Sequence, residues 1–244
     1  MGKFLVFLFF IGISLNSISQ NFLAKYEISE FKENISDDKL SRDRIERHKK
    51  RIKELKNYSN DFQLIVTCNA SNYFFKIPEK LDKGNYSNPY LRLLYLGYLG
   101  LDEAFYYSNS THYYTNNIES FVTKCNNDII SWKIDTKMVI VSGYNCYSAT
   151  PVINTEANLG PTVKDLKVWF TNDISLKGGP TRYGNLPGLI VALENNFVRF
   201  QLTELKETNK KMPTFDEFLN NKTIQTFEET NSYYKKLGEN LINN

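Results

Sequence analysis

The chain has 244 residues with 30 basic and 27 acidic side chains, a formal charge of +3. So weak a balance gives no electrostatic case for a nucleic-acid partner. Hydrophobic residues at 41% and charged residues at 23% are ordinary for a globular protein and exclude a disordered one, while aromatics at 14% favour strands over a helical bundle.

Residues 1–19 read as a cleavable secretory signal. Lys3 supplies the charged head, residues 4–13 an apolar run broken by Gly12, and Ser17 and Ser19 the small residues before a cut. The run is too short for a membrane-spanning helix, which needs about 20 apolar residues, and no later run reaches that length. A periplasmic or secreted location follows, with no transmembrane segment once the signal is removed. Residues 20–244 show no repeat, low-complexity tract or Pro/Gly-rich linker, so one domain is expected.

Phe22, Ala24, Tyr26 and Ile28 alternate with polar residues, the period of a half-buried strand. Residues 37–57 follow as an amphipathic helix with Leu40, Ile45, Ile52 and Leu55 on one face. Its Lys49, Lys50, Arg51 and Lys53 are interleaved with Asp43, Glu46 and Glu54, the pattern of a solvated face and not of an anion-binding patch. Strand patterning returns over 62–68 and 73–77, and 89–99 reads as a short helix or irregular cover. Residues 105–114 and 118–125 predict one strand each, separated by Asn116 and Asn117; 129–153 predicts two or three, and 168–170 another. A hairpin follows Pro187. A two-residue turn at Asn195-Asn196 would set Leu193 against Val198, Val191 against Phe200 and Leu189 against Leu202, one wholly apolar face. Thr214 with Glu217 three residues on is a capping box that opens a C-terminal helix. Together these give an α+β, mainly β fold: a curved antiparallel sheet with a helix from the N-terminal half and a C-terminal helix packed on it.

The stretch Gly179-Pro180-Thr181-Arg182-Tyr183-Gly184-Asn185-Leu186-Pro187-Gly188-Leu189-Ile190 resembles the signature of the GLPGLI family of secreted proteins from Gram-negative bacteria, with Tyr183 in place of the usual Phe. Upstream, Trp132-Lys133-Ile134, Lys137, Gly143-Tyr144-Asn145-Cys146, Ala149 and Trp169-Phe170-Thr171 resemble that family's preceding blocks in order. One block departs from it: residues 150–168 carry Glu156 and Asp165, where relatives are more basic. The resemblance implies export and supplies no catalytic residue. Read physically, Leu186-Pro187-Gly188-Leu189 fits a type II turn with Gly188 at a positive-φ corner. The loop then either serves folding or, with Arg182 and Tyr183 exposed, forms a partner-binding edge.

No nucleophile elbow, P-loop, zinc helix or calcium loop is present, and neither His48 nor His112 has a spacing that suggests shared ligation. No cofactor or metal is expected. Three cysteines, Cys68, Cys125 and Cys146, leave one unpaired in any pairing. A turn at Asp135-Thr136 would place Cys125 opposite Cys146 as a disulfide, and a rival turn at Ser142-Gly143 would separate them. The first is preferred. The functional expectation is a non-enzymatic exported binding module for an apolar ligand or an envelope protein partner. The alternatives are a secreted hydrolase with a carboxylate-based site, since such pairs are assembled by folding and leave no local motif, and a structural envelope component.

Overall fold

The computed structural model describes residues 20–32, 42–57, 64–77, 96–97, 99–101, 104–115, 119–126, 130–153, 165–180, 182 and 186–242. The expected signal at 1–19, Leu40, the Asn116-Asn117 break and most of 89–99 lie outside them. Among the described residues twelve strands make one sheet: β1 (Asn21–Phe31), β2 (Leu64–Cys68), β3 (Tyr73–Lys76), β4 (Ala104–Ser108), β5 (Thr111–Thr115), β6 (Phe121–Asn126), β7 (Ile130–Val141), β8 (Tyr144–Ile153), β9 (Lys167–Thr171), β10 (Leu189–Glu194), β11 (Val198–Thr208) and β12 (Thr223–Thr226). Their spatial order is β12-β6-β5-β4-β3-β2-β1-β11-β10-β9-β8-β7, antiparallel throughout except for the parallel β12–β6 pair. Among the described residues the helices are α1 (Arg42–Asn57), α2 (Phe215–Leu219) and α3 (Phe227–Ile242).

Chain connectivity forces the sheet to curl. β6 ends at Asn126 and β7 begins at Ile130, a gap the chain crosses in at most about 14 Å. The same two strands lie ten ladder spacings apart, roughly 48 Å in a flat sheet. Only a rolled sheet brings those ends together. One continuous buried cluster lines it, from Tyr73, Tyr107 and Cys125 on one flank to Ile130, Cys146 and Phe170 on the other. α1 adds Ile52 and Leu55 to this cluster and leaves Lys49, Lys50 and Lys53 in solvent.

A cross-strand row shows how the interior is filled. Cys68, Tyr73, Tyr107, His112 and Cys125 are successive partners across β2 to β6. The Tyr73 and Tyr107 rings stack at 4.8 Å, and the Tyr73 hydroxyl lies 3.3 Å from His112 Nδ1. His112 is therefore a buried core residue, partnered within the row.

Turn chemistry corrects several boundaries. The expected strand over 105–114 is two strands, because Asn109 and Ser110 both take positive φ (49° and 60°) in a tight turn. The β7–β8 hairpin turns at Ser142 (φ 50°) and Gly143 (φ 81°), the rival site, and not at Asp135-Thr136. Asp135 sits instead in an irregularity of β7, its carboxylate accepting from the Lys137 amide at 3.0 Å. The β10–β11 turn falls one residue later than expected, so Leu193 faces Phe200 and Glu194 faces Arg199. That moves the pairing by two residues, which preserves the face of every side chain. Leu189, Val191, Leu193, Val198, Phe200 and Leu202 are all buried together as the pattern required.

The single C-terminal helix is in fact two, with β12 between them. Thr226 and Glu229 repeat the Thr214–Glu217 capping arrangement at the start of α3. The two helices lie on opposite faces of the sheet: Phe218 of α2 packs on Val122, while the Thr230 hydroxyl of α3 meets that of Thr123 at 2.9 Å. β12, at the edge, carries the chain from one face to the other.

Candidate functional site

The signature segment is packed into the fold. The Gly178 carbonyl (φ 127°) accepts a hydrogen bond from the Ile190 amide at 2.9 Å, and a Cβ on Gly179 would lie 2.6 Å from that of Ile190. Pro180, Leu186, Leu189 and Ile190 are buried, and the Tyr26 hydroxyl donates to the Ile190 carbonyl at 2.7 Å. Arg182 is half-buried, its guanidinium 3.9 Å from the centre of the Tyr114 ring, and so is not the exposed contact expected of it. Tyr183 and Gly184 lie outside the described residues. The type II turn needs correcting, because Gly188, after Pro187, does not have positive φ. It needs glycine for close approach: a Cβ there would sit 1.9 Å from the Thr171 carbonyl oxygen.

The expected disulfide is also corrected. Cys125 on β6 faces His112, Cys146 on β8 faces Val139, and all three cysteines are free and buried. A bridge requires Cβ atoms about 4 Å apart, and the turn at Ser142-Gly143 hands Cys146 a different partner. Burial pushes the Cys68 thiol up to about 12 and, as the main cause, that of Cys146 to about 11, so neither forms the reactive thiolate at neutral pH. All three thiols are expected to resist iodoacetamide in the native protein and to alkylate after unfolding without reductant. Recovery of a linked Cys125–Cys146 peptide would contradict this arrangement.

A cleft of 690 Å³ opens on the opposite face of the aromatic strands, where the sequence pointed to nothing. Its floor follows from ladder register. Lys76, Ala104 and Thr115 form one cross-strand row over β3, β4 and β5, and Phe74, Tyr106 and Tyr113 form the next. α2 roofs the second row, with Phe215 4.5 Å from Tyr113 and Phe218 5.6 Å from Tyr106 between ring centres. Over the first row the small Ala104 side chain leaves the space open. Residues 211–214 and 220–222 close the sides, contributing Lys211, Met212, Pro213, Thr214, Asn220 and Lys222.

The roof is set by the capping box. Thr214 Oγ1 accepts from the Glu217 amide at 3.3 Å, and Glu217 Oε2 accepts from the Thr214 amide at 2.7 Å. The Thr214 amide first, and the Thr214 hydroxyl donating to Glu217 Oε2 at 3.1 Å second, hold the Glu217 carboxyl below its ordinary value. Asn220, left-handed at φ 46°, ends α2 and turns the chain toward Lys222, whose Nζ donates to Thr115 Oγ1 at 2.8 Å. Among the described residues the cleft lining carries three ammonium groups and one carboxylate, and that carboxylate is engaged by its own helix cap. Among the described residues no group of His, Cys, Asp and Glu is placed to hold a metal ion, and no helix is long and apolar enough to cross a membrane. Elsewhere, β7 at the far edge exposes Ile134, Met138 and Ile140, the last 76% accessible.

Of the residues singled out in the sequence, only the Thr214–Glu217 pair reaches this cleft. The rest of its lining is assembled from separate segments and left no local signal.

Comparison with known proteins adds a family. No curated protein matches the chain. Two solved structures of PNGF-II, in space groups C2 and P21, resemble it at 18% and 19% identity, each with a TM-score of 0.49, over 85% of this chain and 31% and 32% of theirs. The chain therefore spans about a third of their length. An uncharacterized conserved protein from Thermus thermophilus resembles it at 7% identity and a TM-score of 0.32, over 86% of this chain and 91% of its own. The family model described as the N-glycanase peptide, N-terminal domain matches residues 108–233, more than half of the chain and inclusive of the whole signature segment. The chain belongs to the family of the N-glycanase peptide N-terminal domain.

Proposed function

We propose that this chain is an exported, non-catalytic binding module whose ligand, a saccharide, sits in the cleft above Ala104. The observation that carries the reading is the cleft itself: an aromatic and apolar wall with hydroxyl, amide and ammonium groups around one small floor residue. That mixture suits a sugar, which offers an apolar ring face and a rim of hydroxyls. The family name, which refers to an N-glycanase, makes glycan chemistry the natural source of the ligand. Export rests on the signal-like residues 1–19, and the likeness of 179–190 to the GLPGLI signature belongs to the same reading. The concave interior of the rolled sheet is filled by buried side chains, many of them aromatic, so the binding role falls to the other face.

The test is calorimetric titration of the mature protein with neutral and charged oligosaccharides. Binding that Met212→Trp weakens at least tenfold, at unchanged melting temperature, is the expected result. Turnover of a glycan or peptide that is lost in Glu217→Gln would instead favour the hydrolase. A second reading, docking of a protein partner, is favoured by the exposed apolar row on β7. Crosslinking through a residue placed at Ile140 tests it.

A further inference from the structure

We infer that β7 is a pairing edge for a second copy of this chain, the two copies meeting antiparallel about a two-fold axis at Thr136. The inference rests on the docking reading of β7 and names the partner. β7 has 12 residues and ends the sheet among the described residues. Lys133 to Met138 are all exposed, and Ile134, Met138 and Ile140 stand among the exposed large apolar residues. A long edge strand of that kind offers its amides, carbonyls and apolar side chains as a template for another strand.

The side chains along the edge decide which strand. In an antiparallel pair, facing residues point to the same side of the sheet, so a two-fold axis along the sheet normal sets one residue against itself. With Thr136 there, Asp135 of each copy faces Lys137 of the other, and Ile134 faces Met138. Moving the axis to Asp135 would set Asp135 against itself and Lys133 against Lys137; moving it to Lys137 would set that lysine against itself. Like charges directly opposite oppose pairing. An axis at Ile134 or Met138 would leave Met138 opposite Ile130 or Asp135 opposite Val141, both already buried within the chain. Charges on an edge ordinarily guard it against indiscriminate pairing; here the same charges admit one register.

The local structure of β7 suits that register. Its pairing with β8 shifts between Ile134 and Met138, so residues 135–137 have no facing partner on β8. Asp135 Oδ1 accepts from the Lys137 amide at 3.0 Å, which fixes the carboxylate on the strand and leaves its other oxygen to the ammonium across the axis. A bulge adds twist to an edge, and a second copy carries the same bulge, so the two edges share that twist. Residues 133–139 give a contact about 24 Å long, which belongs with the smaller, reversible interfaces.

The experiment is sedimentation equilibrium of the mature protein, in which a dimer that dilution reverses is expected. Asp135→Lys and Lys137→Glu each set like charges across the axis, and each should weaken self-association at least about tenfold at unchanged melting temperature. An equimolar mixture of the two variants restores opposite charges at both pairs, and should form a one-to-one heterodimer within about threefold of wild-type affinity. Thr136→Cys, which leaves every charge in place, should cross-link to itself under diamide, whereas Thr203→Cys, exposed on β11, should not. A wild type that is monomeric up to about 1 mM, a dimer that both charge variants leave intact, a mixture that fails to associate, or a Thr136→Cys variant that does not cross-link would each overturn the inference. A monomer that still cross-links to another protein through position 140 would overturn the second copy and leave the docking reading standing.

Discussion

Gly188→Ala is expected to cost about 3 kcal/mol of stability, at the upper end of what overpacking a core does, and to lower the melting temperature by roughly 6–12 °C in a chain of this size. The added Cβ would fall 1.9 Å from the Thr171 carbonyl oxygen and 2.7 Å from its carbon. Neither partner has room to give way. Thr171 is fully buried and pairs with Leu189 in the β9–β10 ladder, and Ile190, the residue after Leu189, is tied to Gly178 and to Tyr26. Relief would require the start of β10 to lift off β9. Gly143→Ala is the control, since its φ of 81° is strained for alanine but nothing lies within 4 Å of the new Cβ. That change should cost about 1 kcal/mol. Chemical denaturation of both variants separates the causes: equal losses would mean that overlap with Thr171 is not the reason for glycine at 188.

The same glycine illustrates what a sequence can and cannot disclose. Pro187-Gly188 before an apolar run correctly marked the start of a hairpin strand. The reason for the glycine, a close approach by the preceding strand of the ladder, is a tertiary fact and has no local signature. The periodicity of two was legible wherever one face is buried, and it placed β1, β2, β3 and β9 closely. It gave the faces of β10 and β11 even though the turn was misplaced, because a shift of two residues leaves parity intact. It failed at 105–114, where Asn109-Ser110 was not recognised as a turn inside an unbroken aromatic pattern. It failed again at 135–136, where an aspartate that bonds its own strand looked like a turn. Those two turn errors matter differently. The first swaps the faces of the second half of its segment, so that His112 joins Tyr107 and Tyr113 joins Tyr106, whereas the second produced a disulfide that does not exist. The cleft was illegible for a further reason: Lys76, Ala104, Thr115 and Lys222 meet only through the register of three strands and one helix cap. No spacing in the chain encodes that meeting.

Asn195→Ala is expected to destabilise the protein by about 3 kcal/mol, whereas Asn196→Ala, one residue away on the surface, should cost less than about 1 kcal/mol. Both asparagines were read as the two corners of one turn, but only one builds it. Asn195 is buried, and its side chain makes three hydrogen bonds. Oδ1 accepts from the Phe197 and Val198 amides at 2.8 and 2.9 Å, which builds the turn from a side chain, and Nδ2 donates to the Leu99 carbonyl at 3.1 Å. Alanine would leave the buried Leu99 carbonyl and Val198 amide without these partners, each a penalty of roughly 1–3 kcal/mol. Asn195→Asp separates the two halves of this role. The aspartate keeps an acceptor for the two amides but turns a charged oxygen toward the Leu99 carbonyl, where Nδ2 had donated. Only its neutral form donates there, so folding raises the carboxyl's affinity for its proton. A group whose folded pKa is raised contributes stability at low pH and loses it as pH rises. The Asp variant should therefore approach wild-type stability on acidification, relative to wild type at the same pH, while the Ala variant does not. Parallel pH dependence of the two variants would show that the bond to Leu99 is not what makes Asn195 indispensable to the hairpin.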